Sequence, residues 1–159
     1  MKKFNTVNIR EWAQSLSCGE EILLSGVVYT ARDAAHRQIV ALMEEGAALP
    51  FPLKDGVIYY AGPTPAKHGR VCGSFGPTTS GRMDGYPQLF DCGLAAAIGK
   101  GDRNKVIIDA LVRNKSVYFI AIGGAGAVAA KHIKSCDEVA FPELGCESVK
   151  RLVFEDFPL

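Results

Sequence analysis

Residues 76–84 read GPTTSGRMD, nine positions holding three hydroxyls, two glycines, Arg82 and Asp84. An ordinary surface turn needs only one or two turn-forming residues. The run is therefore either an unusually polar connection or a loop built to hold an anion. Two further cations stand at comparable places. Arg32 lies where the strand-like run EILLSGVVYTA (21–31) meets Asp33, and Lys100 sits between the glycines of IGKG (98–101). Free N–H groups at helix starts, flanking glycines and an arginine fork matched to carboxylate suit a small dianion, provided that the three cations share one edge. A lone arginine at a turn is also commonly a solvated surface residue, and composition leaves both readings open. His36, three residues after Asp33, reads first as a hydrogen-bonded structural histidine and second as an acid or base.

The elements that must position these groups follow from periodicity and punctuation. EWAQSLSCGEE reads as a short helix closed by Gly19, and 21–31 as a strand. Asp33 is expected to cap a helix over 34–45, with Ala35, Ile39, Leu42 and Met43 on one face and Gly46 just past its end. VIYYA (57–61) is a strand stopped by the prolines of GPTPAKHG. A helix beginning at Asp84 puts Pro87 in its first turn, where no hydrogen bond is lost, and Gly93 ends it. LAAAIG (94–99) is a short buried strand, and Asp102 is expected to cap a helix over 103–114 striped by Val106, Ile107, Ala110 and Leu111. VYFIAIGG is a buried strand, AGAVAAKHIKS a helix and VKRLVFEDF a last strand. Strands alternate with helices, which predicts an α/β fold in one domain over 1–159.

Composition bounds the function. Hydrophobic residues make up 48% and charged residues 22%, and the formal net charge is +1, so no global field attracts nucleic acid or an anionic membrane. The N-terminal stretch has no apolar run of the signal-peptide kind, and no apolar stretch approaches the roughly 20 residues of a spanning helix, so the expected compartment is the cytoplasm. Cys18, Cys72, Cys92, Cys136 and Cys146 are widely spaced without a CxxC pair, which reads as reduced, mostly buried thiols and not as metal ligands. GAGAVA (124–129) fits a dinucleotide fingerprint. It comes late in the chain, however, and its glycines are read as allowing close strand–helix packing. Glu155 and Asp156 read as a solvated end.

Six motifs occur in a fixed order: YTARDAAH (29–36), YYAGPTPA (59–66), GPTTSGRMD (76–84), IGKG (98–101), GGAGA (123–127) and EDFP (155–158). In that order they resemble the β component of iron–sulfur hydro-lyases, the group of class I fumarases and L(+)-tartrate dehydratases. The resemblance implies a swivelling β/β/α domain with layered sheets and flanking helices. It also implies a separate α chain whose cysteines hold a [4Fe–4S] cluster, in an assembly with two of each chain. The implied reaction is hydration of fumarate to L-malate. Dehydration of tartrate to oxaloacetate is the alternative, and a non-catalytic dicarboxylate-binding domain is the reading from another class. Carried over residue by residue, Arg32, Arg82 and Lys100 bind substrate carboxylate and Thr78 takes part in proton transfer, while Asp33, His36, Thr79 and Asp84 orient them. On this reading the partner's iron acts as a Lewis acid on the departing hydroxyl, and the three cations stabilise charge on the remote carboxylate.

Overall fold

Alternation at period two sorts the strand residues between two cores. In β2 (Ile22–Thr30), Ile22, Leu24 and Val28 enter one apolar cluster, whereas Val27 and Tyr29 pack on the other. The same alternation divides Val57 and Tyr59 from Ile58 in β3 (Val57–Tyr59), and Ala96 and Ile98 from Ala97 in β4 (Ala96–Gly99). Strands buried on both faces in this way need cover on both sides.

The computed structural model describes residues 1–159. Seven strands form one mixed sheet of order β5-β4-β3-β2-β7-β6, where β5 is Val117–Ile120, β6 is Ile133–Ala140 and β7 is Val149–Pro158. A short β1 (Lys2–Asn5) adds in parallel to the start of β2. From β2 to β5 the pairing is parallel and sequential, while β7 runs antiparallel between β2 and β6. The crossovers carry α2 (Asp33–Glu44), α3 (Gln88–Asp91) and α4 (Lys105–Arg113). Sequential right-handed crossovers put all three helices on one face, where Ala35, Ile39, Leu89, Phe90, Ile107 and Ala110 share a core. The opposite face is closed by Ile9 and Trp12 of α1 (Ile9–Trp12) and by stacked or edge-on contacts among Tyr59, Phe75, Phe154 and Phe157. No helix is long and apolar enough to cross a membrane.

Several expectations are corrected. The strands belong to one sheet and not to separate stacked sheets. The helix expected over AGAVAAKHIKS shrinks to α5 (Gly126–Ala129) and a 3-10 turn, and its end becomes the unforeseen strand β6, whose burial is too patchy to leave an alternating signal. Asp33 is the first residue of α2 and makes no cap bond. Asn104, not Asp102, caps α4, accepting 2.9 Å from the Ile107 amide. Asp84 closes a 3-10 turn, Ser80–Met83, instead of opening a helix. Asp33 is withdrawn from capping because its carboxylate is taken by Arg82. On α4, Ile107 and Ala110 are buried, whereas Val106 faces solvent.

Gly99 ends β4 where the 76–84 loop crosses it. A Cβ there would collide with Ser80 Oγ and come within 2.9 Å of Tyr60 Cδ2. Gly99→Ala is therefore expected to destabilise the protein by about 1–3 kcal/mol, read from the urea midpoint. An unchanged midpoint would show that the loop yields freely.

Candidate functional site

Parallel strands all end on the same edge, and the loops after β2, β3, β4 and β5 meet there. Arg32 follows β2. Its carbonyl accepts from the His36 amide at 2.9 Å and from His36 Nδ1 at 2.8 Å. Its side chain lies against Gly62, where a Cβ would stand 3.4 Å from Nη1, so the glycine makes room for the guanidinium. Arg32 Nε is 3.7 Å from Glu147 Oε1; both atoms are buried without a hydrogen bond, so the pair is electrostatic but loose.

Arg82 rides on the 3-10 turn. Its Nε donates to Asp33 Oδ2 at 2.9 Å and its Nη2 donates to the same oxygen, while Asp33 Oδ1 is buried without a partner. The Arg82 side chain is 50% exposed. Screening makes such a pair worth only about 0–1 kcal/mol, so Asp33 aims the arginine more than it stabilises the fold. Lys100 follows β4 and pairs with the loop reciprocally: Ser80 N donates to Lys100 O at 3.0 Å, and Lys100 N donates to Ser80 Oγ at 3.1 Å. Thr79 forms a parallel bridge with Lys100, and the Thr78 amide donates to Tyr60 O at 2.6 Å. The Lys100 ammonium is exposed beside Gly123, after β5.

The other sequence candidates divide. Asp33 touches Arg82 and His36 holds the Arg32 backbone, but Asp84 meets none of the three cations. Its Oδ1 accepts from Arg103 Nε at 2.6 Å and its Oδ2 from the Asn104 amide at 2.7 Å. His36 is buried against Tyr60 and Tyr86. Burial, reinforced by the Arg103 charge and opposed by the bond to the Arg32 carbonyl, pushes its pKa down to about 4. The ring is thus neutral near pH 7 with its Nδ1–H committed to the Arg32 carbonyl.

Sequence reasoning missed Glu147 and Arg103. Arg103 stands three residues after Lys100 and read as an ordinary residue of the helix start; its trace is a pair of tyrosines, Tyr60 and Tyr118, near the ends of neighbouring strands. The cysteines differ from expectation too: only Cys72 is buried, and Cys18, Cys92 and Cys146 are exposed. No group of three or more His, Cys, Asp or Glu side chains is gathered so that it could hold a metal ion. Gly126 packs against Phe75, where a Cβ would stand 2.6 Å from the carbonyl oxygen. Two cavities of 240 and 400 Å³ lie under the 63–74 loop, and neither contains Arg32, Arg82 or Lys100.

Comparison with known proteins places this geometry in context. The family model described as Fumarase C-terminus matches residues 2–159. Fumarate hydratase 2 of Leishmania major is 42% identical over 153 residues, covering 94% of this chain and 27% of its own length. The anaerobic class I fumarate hydratase of Escherichia coli (strain K12) is 41% identical over 138 residues, 85% of this chain and 25% of its own length. The putative L(+)-tartrate dehydratase subunit beta of Methanocaldococcus jannaschii is 36% identical over 160 residues, 97% of this chain and 82% of its own length. The chain thus spans about a quarter of the length of the fumarate hydratases it matches.

The buried imidazole makes stability depend on pH. Between the ordinary value of 6.5 and about 4, the unfolded chain binds a proton at His36 that the native chain refuses. This contribution is complete above pH 6.5 and is lost as the pH falls through about 4, to the extent of roughly 3 kcal/mol. His36→Asn, whose amide is able to donate to the Arg32 carbonyl, is expected to flatten stability across that window in urea titrations. A slope equal to that of the unsubstituted protein would assign the acid sensitivity to other groups.

Proposed function

We propose a function from one premise: the chain belongs to the fumarase C-terminus family. On this reading residues 1–159 act as one unit, the β component of a two-chain hydro-lyase that interconverts fumarate and L-malate in the cytoplasm as a step of the tricarboxylic acid cycle. The observation that carries it is the arrangement of Arg32, Arg82 and Lys100 on one strand edge, with Arg82 half exposed and held by a single carboxylate oxygen. Identities of 42% and 41% to fumarate hydratases, against 36% to a tartrate dehydratase subunit, favour fumarate. The match over 82% of a separate beta subunit favours a split enzyme, completed by an α chain in a complex with two of each. The same match keeps tartrate as the second reading, and a dicarboxylate-binding domain without catalysis is the reading from outside enzymology.

On this reading a [4Fe–4S] cluster, held by the α chain, would supply Lewis-acid chemistry. This chain's own work is electrostatic. Three cations carried on one strand edge stabilise negative charge on the remote carboxylate. They meet the substrate at an interface, and a swivel of this unit against its partner would open and close that interface to water. Thr78 presents a hydroxyl to the proton being moved. An aliphatic hydroxyl is a weak base, so it requires a carboxylate or cation beside it in the complex.

Anaerobic co-expression with a cluster-bearing α chain tests the reading. Fumarate hydration by the pair, and by neither chain alone, is expected. A cluster-loaded pair that dehydrates only tartrate would move the assignment to the second reading, and failure of the chains to associate would leave a binding domain. In an active pair, Arg82→Ala is expected to lower kcat by about 10²–10³ or more without loss of assembly; activity within a few-fold of wild type would remove Arg82 from the site. Lys100→Met is expected mainly to raise KM, and unchanged KM and kcat would exclude a contact with substrate.

A further inference from the structure

Beneath the three cations lies a fourth that substrate cannot reach. The Arg103 side chain is 2% exposed, its Nε bonded to Asp84 and its Nη1 and Nη2 without a hydrogen-bond partner. Its guanidinium carbon lies 5.2 Å from the centre of the Tyr60 ring and 5.0 Å from that of Tyr118. A planar cation between two aromatic rings, with one N–H left for a carboxylate, is a geometry that only arginine supplies.

Each of its three neighbours leads to a residue of the candidate site. The Tyr60 carbonyl receives the Thr78 amide at 2.6 Å. The Tyr118 hydroxyl is bonded to Ser80 Oγ at 2.8 Å and to Gly101 O at 2.9 Å, and Ser80 Oγ in turn receives the Lys100 amide. Asp84 closes the turn that carries Arg82, its amide donating to Gly81 O at 3.2 Å. Asp84 also accepts from the amide of Asn104, the cap of α4, so the peptide that follows Arg103 is tied as well.

We infer that Arg103 is a positioning residue: through Tyr60, Tyr118 and Asp84 it sets the relative alignment of Thr78, Arg82 and Lys100 without touching substrate. The inference deepens the hydro-lyase reading and rests on it for its kinetic consequence, while the alignment itself is a property of the chain alone. Arg103→Lys keeps a positive charge beside Asp84 but loses the guanidinium over the Tyr60 and Tyr118 rings. Tyr118→Phe keeps the ring and removes the hydroxyl that reaches Ser80.

Amide exchange followed by NMR on the full chain tests the alignment. In Arg103→Lys the Thr78, Ser80 and Lys100 amides are expected to exchange tenfold faster or more, with the β2–β7 ladder unchanged. In Tyr118→Phe the effect is expected at Ser80 and Lys100 only. Unchanged exchange at these amides, or equal acceleration throughout the sheet, would overturn the inference; should Arg103→Lys fail to fold, Tyr118→Phe decides it. In the complex with the α chain, Arg103→Lys is expected to lower kcat/KM tenfold or more and to add less than threefold to the kcat/KM loss in Lys100→Met. Fully additive losses would mean that Arg103 does not act through Lys100. If the wild-type pair neither hydrates fumarate nor dehydrates tartrate, the hydro-lyase reading falls, and the exchange result alone decides the alignment.

Discussion

The parallel pairing of β2, β3, β4 and β5 is the constraint on which the candidate site depends. Parallel strands deliver every chain exit to one edge, where backbone groups past the last rung have no strand partner. Those groups must be paired or hydrated. Here the 76–84 loop pairs many of them: Thr78 N uses the Tyr60 carbonyl, and Ser80 and Lys100 bond each other twice. Satisfying the backbone and gathering the cations are thus one act. The hydroxyl-rich, glycine-rich composition of the loop is what allows it to lie close against Gly99 and bond as it goes.

Two arginine–aspartate pairs divide the work between rigidity and access. Arg103 and Asp84 are both buried, and breaking such a pair costs about 3–5 kcal/mol because a charge is left stranded in a poor solvent. Arg82 and Asp33 are partly in water, where screening makes the pair nearly neutral in energy. A stiff pair below and a loose pair above let the loop hold its shape while its outward cation stays available. His36 belongs to the stiff layer: its neutral ring pins the Arg32 carbonyl from within the core.

How much of this was legible in the sequence follows from the range of the forces. The strands through 21–31, 57–61, 94–99 and 117–122 and the helices near 34–45 and 103–114 carry local periodicity, and their existence was readable. The motifs at the strand ends were readable because odd composition at a turn is itself local. The caps were not, because whether Asp33 bonds its own helix or Arg82, 49 residues away, depends on tertiary geometry. Strand β6 was hidden because its burial follows no clean alternation. Arg103 was hidden for the opposite reason: its burial between Tyr60 and Tyr118 is set by elements far apart in the chain, and nothing beside it in sequence marks an arginine as interior.

The place of β7 has a consequence in time. This strand is made well after β2, β3, β4 and β5, yet it lies against β2. The Thr30 hydroxyl donates to the Ser148 carbonyl and accepts from the Lys150 amide, contacts spanning 118 and 120 residues, and Glu147 Oε1 stands 3.7 Å from Arg32 Nε. Such distant closures are slow and come late. On the ribosome, the surroundings of Arg32 therefore stay unfinished until β7 has emerged, and until then the margin of β2 beside that arginine is open.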